Sequence, residues 1–156
     1  GRRVAVAFET GQETPSDQGR VLEEVREDLE GTPAAAARVG VNFDPANIIL
    51  YGVGEPLAAL ASLSSEVVQV HIKDATRTQT PGTWGAEVPP GSGHVPWAEF
   101  LGAVHAAHPD VALVIEREAG EDRIGDVRRA REMVEATLGA HLAADAGGPV
   151  RGSGHG

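Results

Sequence analysis

The 156-residue chain contains no cysteine, which excludes disulfides and thiolate metal sites outright. Lysine is almost absent as well: of 13 basic residues only Lys73 is a lysine, and the others are arginines. Bases are outnumbered by 23 acids, for a formal net charge of -10. Binding a polyanion needs clustered lysine and arginine, and the chain offers only Arg128-Arg129 on a predicted helix. Nucleic acid and anionic membranes are therefore excluded as partners. No apolar run approaches the ~20 residues of a membrane span, and the opening residues lack a secretory signal pattern, so a cytoplasmic protein is expected. Methionine occurs once, as Met133, while the chain opens Gly1-Arg2-Arg3; an N-terminal portion is expected to be missing. The length suits one domain with a core but falls short of the ~250 residues of a closed eight-stranded α/β barrel.

What is present is a repeated pattern. Val67-Val68-Gln69-Val70-His71-Ile72-Lys73-Asp74 reads as a buried strand of the kind found in parallel sheets. Alternation puts Gln69, His71 and Lys73 on one face and Val68, Val70 and Ile72 on the other. Three further strands follow the same plan: residues 4–9 ending on Glu9, 40–44 ending on Asp44, and 111–116 ending on Glu116. Between them lie helical patterns. Ser16 or Asp17 is expected to cap a helix with Val21, Leu22, Val25 and Leu29 on one stripe, and Pro56 to open another. Trp97, Phe100, Leu101 and Val104 mark a third, and Ile124 to Leu138 a last. Residues 75 to 95 read as a long loop, a length that is usually functional. Strand and helix alternate throughout, which implies parallel strands with right-handed crossovers.

Each strand thus ends on a residue able to bind a divalent ion: Glu9, Asp44, His71 and Glu116. The carboxyl ends of parallel strands lie at one edge, where ligands bind. Acids also punctuate strand ends simply because the chain turns into solvent, but here all four tips fall on the face opposite the bulky aliphatic residues. Three carboxylates and an imidazole suit one divalent metal ion, Mn, Mg, Co or a catalytic Zn. Glu118 shares the parity of Glu116 and competes for its role. Lys73 admits two readings, a substrate or phosphate contact and a strand-end ion pair.

Phe8-Glu9-Thr10-Gly11, Asn42-Phe43-Asp44-Pro45-Ala46-Asn47, Val70-His71-Ile72-Lys73-Asp74, Gly91-Ser92-Gly93-His94-Val95-Pro96-Trp97 and Ile115-Glu116-Arg117-Glu118 occur in this order. In these motifs the chain resembles the C-terminal half of the xylose isomerase-like (β/α)8 barrel superfamily, the sugar phosphate isomerase/epimerase group. The resemblance implies an α/β fold, strands five to eight of a TIM barrel over residues 1–142; the Gly-rich composition of 143–156 predicts a disordered tail. It implies metal ligation by Glu9, Asp44, His71 and Glu116, and substrate contact by Arg77, six residues past His71. Asn47 stands where the ketose epimerases often carry histidine, and with Lys73 it completes the expected substrate-binding set. The additional ligands of a trinuclear zinc endonuclease are not evident. The expected activity is isomerisation or epimerisation of a sugar or sugar phosphate. In it Glu9 and Glu116 form the acid/base pair that moves a proton through an enediolate. An inosose-type dehydratase on the same metal is the enzymatic alternative, and a half barrel without turnover the non-enzymatic one. Four strands leave two open edges, so a missing N-terminal half-barrel or a homodimer partner is expected beside the carbohydrate substrate.

Overall fold

The computed structural model describes residues 5–146. In chain order they form β1 (Ala5–Glu9), α1 (Pro15–Leu29), β2 (Arg38–Phe43), α2 (Pro45–Leu50), α3 (Pro56–Leu63) and a 3-10 turn (Ser64–Glu66). There follow β3 (Val67–Ile72), β4 (Asp74–Thr76), β5 (Ala86–Val88), α4 (Trp97–Ala107), β6 (Ala112–Ile115) and α5 (Arg123–Ala146). Strands β1, β2, β3 and β6 lie side by side in that order, every adjacent pair parallel. Strands that neighbour one another in the order of the chain leave no point at which the winding reverses. Right-handed crossovers then place the connecting helices on one face. The result is a segment of a barrel and not a doubly wound sheet.

The helix-facing side carries the core. Val41 and Phe43 of β2 and Val70 and Ile72 of β3 are fully buried against Leu22 of α1, Ile48 and Ile49 of α2, and Phe100 and Leu101 of α4. Phe43 stacks on Phe100 at a centroid distance of 5.8 Å, and Trp97 meets Phe100 edge-on at 5.9 Å. Burying each such ring contributes about 1.5–3 kcal/mol. The outer strands differ: Val6 and Phe8 of β1 are 48% and 37% exposed, and Val114 of β6 38%. Among the described residues each of these strands is paired along one edge, which leaves the other edge open to a further strand.

Local chemistry moves several boundaries from where the sequence pattern puts them. Thr14, not Ser16 or Asp17, caps α1, accepting from the Asp17 N–H at 3.2 Å, because Pro15 takes the first helical position. Helix α2 is capped by Asp44 and opened by Pro45. The segment 75–95, expected to be structureless, contains an antiparallel hairpin in which β4 pairs with β5, Thr76 opposite Ala86. Gly85 permits this, since a side chain there would collide with the Thr76 carbonyl, and its N–H donates to the Leu50 carbonyl at 2.8 Å. Helix α5 continues through Ala146, so residues 143–146 are helical and do not begin the expected disordered tail. The rest of that tail, 147–156, and Val4, the expected start of the first strand, lie outside the described residues. No helix among the described residues is long and apolar enough to cross a membrane.

Candidate metal centre

The four strand tips meet. Glu9 closes β1, Asp44 follows β2, His71 lies near the end of β3 and Glu116 follows β6. One donor atom from each of them falls within 4.8 Å of all the others. Small local devices hold the tips in place. Thr10 is buried; its hydroxyl donates to the Asp44 carbonyl at 3.0 Å and accepts from the Asp44 N–H at 2.8 Å. This fastens the end of β1 to that of β2. From α1, the buried Gln18 amide donates to the Phe8 and Glu9 carbonyls at 3.3 and 3.1 Å.

Asp44 divides its carboxylate between two tasks. Oδ1 accepts from the N–H groups of Ala46 and Asn47 at 2.8 and 3.1 Å, capping α2. Oδ2 is buried without a hydrogen-bond partner among the described residues, and so is His71 Nδ1, 3.7 Å away. Buried polar atoms without partners are rare. Two of them side by side, each a normal donor to a cation, with Glu9 Oε1 3.6 Å and Glu116 Oε2 3.1 Å from the same imidazole nitrogen, fit a divalent ion held by oxygen and nitrogen. The other ring nitrogen is occupied: the Asn42 side-chain amide lies 2.9 Å from His71 Nε2, and Gln69 Nε2 lies 3.2 Å from Asn42 Oδ1. Ligation through Nδ1 puts the ring proton on Nε2, where the Asn42 amide, turned to present its oxygen, accepts it, the Gln69 amide turning with it so that its oxygen faces the Asn42 NH2.

Charge is concentrated here. Burial raises the Glu9 pKa, and the neighbouring Asp44 and Glu116 carboxylates add to the shift against the opposing pull of His71 and Lys73. The Asp44 carboxylate beside His71 raises the imidazole pKa; burial opposes this, and Glu116 and Glu9 reinforce it. Lys73 is buried, with Nζ 2.6 Å from Glu118, 3.1 Å from Glu116 and 3.8 Å from Asp44. Burial works to lower its pKa, but the three carboxylates prevail and hold it above the ordinary lysine value. The lysine hydrogen bond in turn lowers the Glu118 pKa.

Two supports come from residues of the motifs above, in roles that the motifs do not assign. The buried Asp74 carboxylate accepts five hydrogen bonds: Oδ1 from the N–H groups of Ala75 and Val95, Oδ2 from those of Gly91 and Gly93 and from Trp97 Nε1, at 2.9 to 3.1 Å. It latches the Gly91–Trp97 loop onto the end of β3. Gly93 is required there, because any side chain would strike the Asp74 carboxylate. The second support is Arg117, buried between Glu87 at 2.5 Å and Asp126 at 2.7 Å. Glu87 also accepts from the N–H groups of Glu118 and Ala119 at 3.0 and 3.1 Å, so the hairpin fixes the chain just beyond Glu116. Alternation places Arg117 outward, but sequence spacing alone gives no sign of its partner thirty residues earlier.

Of the expected substrate contacts, the structure brings Asn47 and Lys73 to the cluster. Asn47 donates to Glu9 Oε1 and to the Thr10 carbonyl, both at 3.0 Å. The Arg77 guanidinium instead lies on the Gly54 carbonyl at 3.2 Å and on Glu55 at 2.7 Å, in the turn between α2 and α3.

Comparison with known proteins agrees with this architecture. The sequence profile of a family described as xylose isomerase-like TIM barrel matches residues 2–137. A solved xylose isomerase domain protein from Planctomyces limnophilus superposes with a TM-score of 0.73 at 32% identity, over 89% of this chain and 46% of that one. A xylose isomerase-like TIM barrel protein from Mycobacterium smegmatis, solved in complex with magnesium, gives 0.69 at 21% identity, over 91% of this chain and 45% of that one. A D-tagatose 3-epimerase-like protein gives 0.61 at 15% identity, over 90% and 49%. The chain thus spans about half the length of these solved proteins. Comparison with curated protein sequences yields no match.

Proposed function

This chain belongs to the xylose isomerase-like TIM barrel family, and on that premise we propose that it carries the metal-binding part of a sugar or sugar phosphate isomerase or epimerase. The observation behind this reading is the meeting of four donors from four parallel strands within 4.8 Å, two of them buried atoms without partners. Glu9, Asp44, His71 and Glu116 would hold the ion. A bound divalent cation would supply Lewis acidity, which acidifies the hydrogen on the hydroxyl-bearing carbon next to the carbonyl of an α-hydroxycarbonyl compound. Asp44 and His71, both buried, serve to bind. Glu9 and Glu116 are the more open pair, their side chains 42% and 28% exposed, and are the residues that exchange protons with substrate. Glu9, with its raised pKa, takes the proton from carbon, and Glu116 returns one to the other side of the enediolate. Asn47 holds the Glu9 carboxylate in position. Arg77 contributes its guanidinium to a substrate oxygen by exchanging it for Glu55. A second half-barrel, from an N-terminal portion or a second copy, closes the pocket over the open edges of β1 and β6.

Deuterium exchange tests the reading. The protein is incubated with Mn2+ in deuterated water with a panel of ketoses, their phosphates and inososes, and followed by NMR. At least one compound is expected to lose its α-hydrogen, and Glu9→Gln and Glu116→Gln each abolish that loss. Departure of a neighbouring hydroxyl along with the hydrogen would reassign the reaction as dehydration. Absence of exchange with every compound, metal bound, would leave a half barrel without turnover.

A further inference from the structure

Lys73 is the chain's single lysine, and the proposed chemistry gives it no proton to move. The residue is 4% exposed, and its ammonium sits at the wall of the carboxylate cluster, 3.1 Å from Glu116 Oε2 and 3.8 Å from Asp44 Oδ2. Those oxygens are two of the atoms placed to receive a cation. On its outer side it is held by Glu118 at 2.6 Å, whose side chain is 66% exposed. Three carboxylates crowded within 4.8 Å of one another repel strongly, and a buried anion without a compensating charge is costly. The cluster therefore needs a resident positive charge whenever no ion is bound. His71 supplies one only when protonated, a state incompatible with ligation through Nδ1. Lys73 supplies one throughout.

We propose that Lys73 is a built-in counter-cation of the metal centre: it holds the carboxylates together without an ion, and by its charge it weakens the binding of a divalent ion to them. The inference rests on the metal-binding reading above and concerns how tightly the ion is held. Glu118 draws the ammonium outward and so moderates the competition. Even with the screening of bulk water, removing a unit charge about 4 Å from a divalent ion changes affinity by roughly tenfold or more.

The test is isothermal titration of Mn2+ into the purified protein, paired with thermal unfolding in EDTA. Lys73→Met is expected to melt at a lower temperature than wild type in EDTA, yet to bind Mn2+ at least about tenfold more tightly and to recover more melting temperature on adding it. Glu118→Gln, an exposed change that spares the core, is expected to weaken Mn2+ binding severalfold. A lysine that merely braces the strand end would give lower stability with unchanged or weaker Mn2+ binding in Lys73→Met, and that result overturns the proposal. Should Lys73→Met fail to fold, unaltered or tighter binding by Glu118→Gln overturns it instead. Wild-type protein that binds no divalent ion removes the metal reading and this proposal together; wild-type binding without the expected shifts removes this proposal alone.

Discussion

Asp74→Asn isolates the latch that holds the Gly91–Trp97 loop on the end of β3. The substitution is nearly isosteric, so no cavity is made, and the effect comes from replacing one acceptor oxygen by a donor. The remaining oxygen is best spent on the three donors now facing Oδ2, namely the Gly91 and Gly93 N–H groups and Trp97 Nε1. The new NH2 then points at the N–H groups of Ala75 and Val95, leaving two buried donors unsatisfied. Each costs about 1–3 kcal/mol, and the three surviving bonds lose the strengthening of an ionised acceptor. A destabilisation of about 3–5 kcal/mol follows, a large share of the ~5–15 kcal/mol that holds a typical domain folded. Urea unfolding followed by tryptophan fluorescence reads the total. Amide hydrogen exchange reads the location: protection at Gly91, Gly93 and Val95 is expected to fall, while that at Val41 and Phe43 of the β1–β2–β3 core falls only as global stability does. A variant within about 1 kcal/mol of wild type, with those three amides still protected, would refute the account of the latch.

Other perturbations give separate checks. Asn42→Leu removes the partner of His71 Nε2 and should weaken divalent-ion binding about 10- to 100-fold, measured by titration, with Asn42→Asp weakening it less. Arg117→Met breaks the bridge between Glu87 and Asp126, taking its cation from two buried carboxylates that keep the Glu118 and Ala119 N–H groups and Arg129 respectively; a loss of about 3 kcal/mol, the low end for a broken buried pair, is expected in urea unfolding. In EDTA the raised His71 pKa means that the folded state favours the protonated ring. That stabilisation is fully present below the unfolded-state value near ~6.5 and is lost as pH rises through the higher folded value, by linkage. Melting temperature should therefore fall over that interval in wild type and not in His71→Gln. Added Mn2+ should act in the opposite sense, stabilising more as pH rises, because the ligands must be deprotonated.

The tips of the strands were legible because alternation is rigid: a residue two places from a known inward position must also point inward. With parallel strands, that logic places Glu9, Asp44, His71 and Glu116 at one edge, and the structure gathers the same four. The parallel direction of the strands was legible from the alternation of strands and helices, which leaves few connections open. What escaped was chemistry between segments distant in sequence. Asp74 reads as the polar end of a strand, yet four of its five partners lie 17 to 23 residues later in a glycine-rich loop. The β4–β5 hairpin was hidden because its strands have three residues each, too few for periodicity to show. Thr14 was passed over as a helix cap because Ser16 and Asp17, equally apt by type, stand inside the helix that Pro15 opens. Lys73 was left between two readings by the sequence, and only the distances to Glu116 and Glu118 separate an ion pair from a side chain free to reach substrate.

The central claim is that Glu9, Asp44, His71 and Glu116 bind one divalent ion together. Anomalous diffraction from a crystal of the protein soaked in Mn2+ tests it most directly. A single strong peak is expected among the four side chains, roughly 2.0–2.3 Å from Asp44 Oδ2, His71 Nδ1 and one oxygen of each glutamate, and it should disappear in Asp44→Asn. A soaked crystal with no peak at that position, or with its peak at other residues and unchanged by Asp44→Asn, would contradict it.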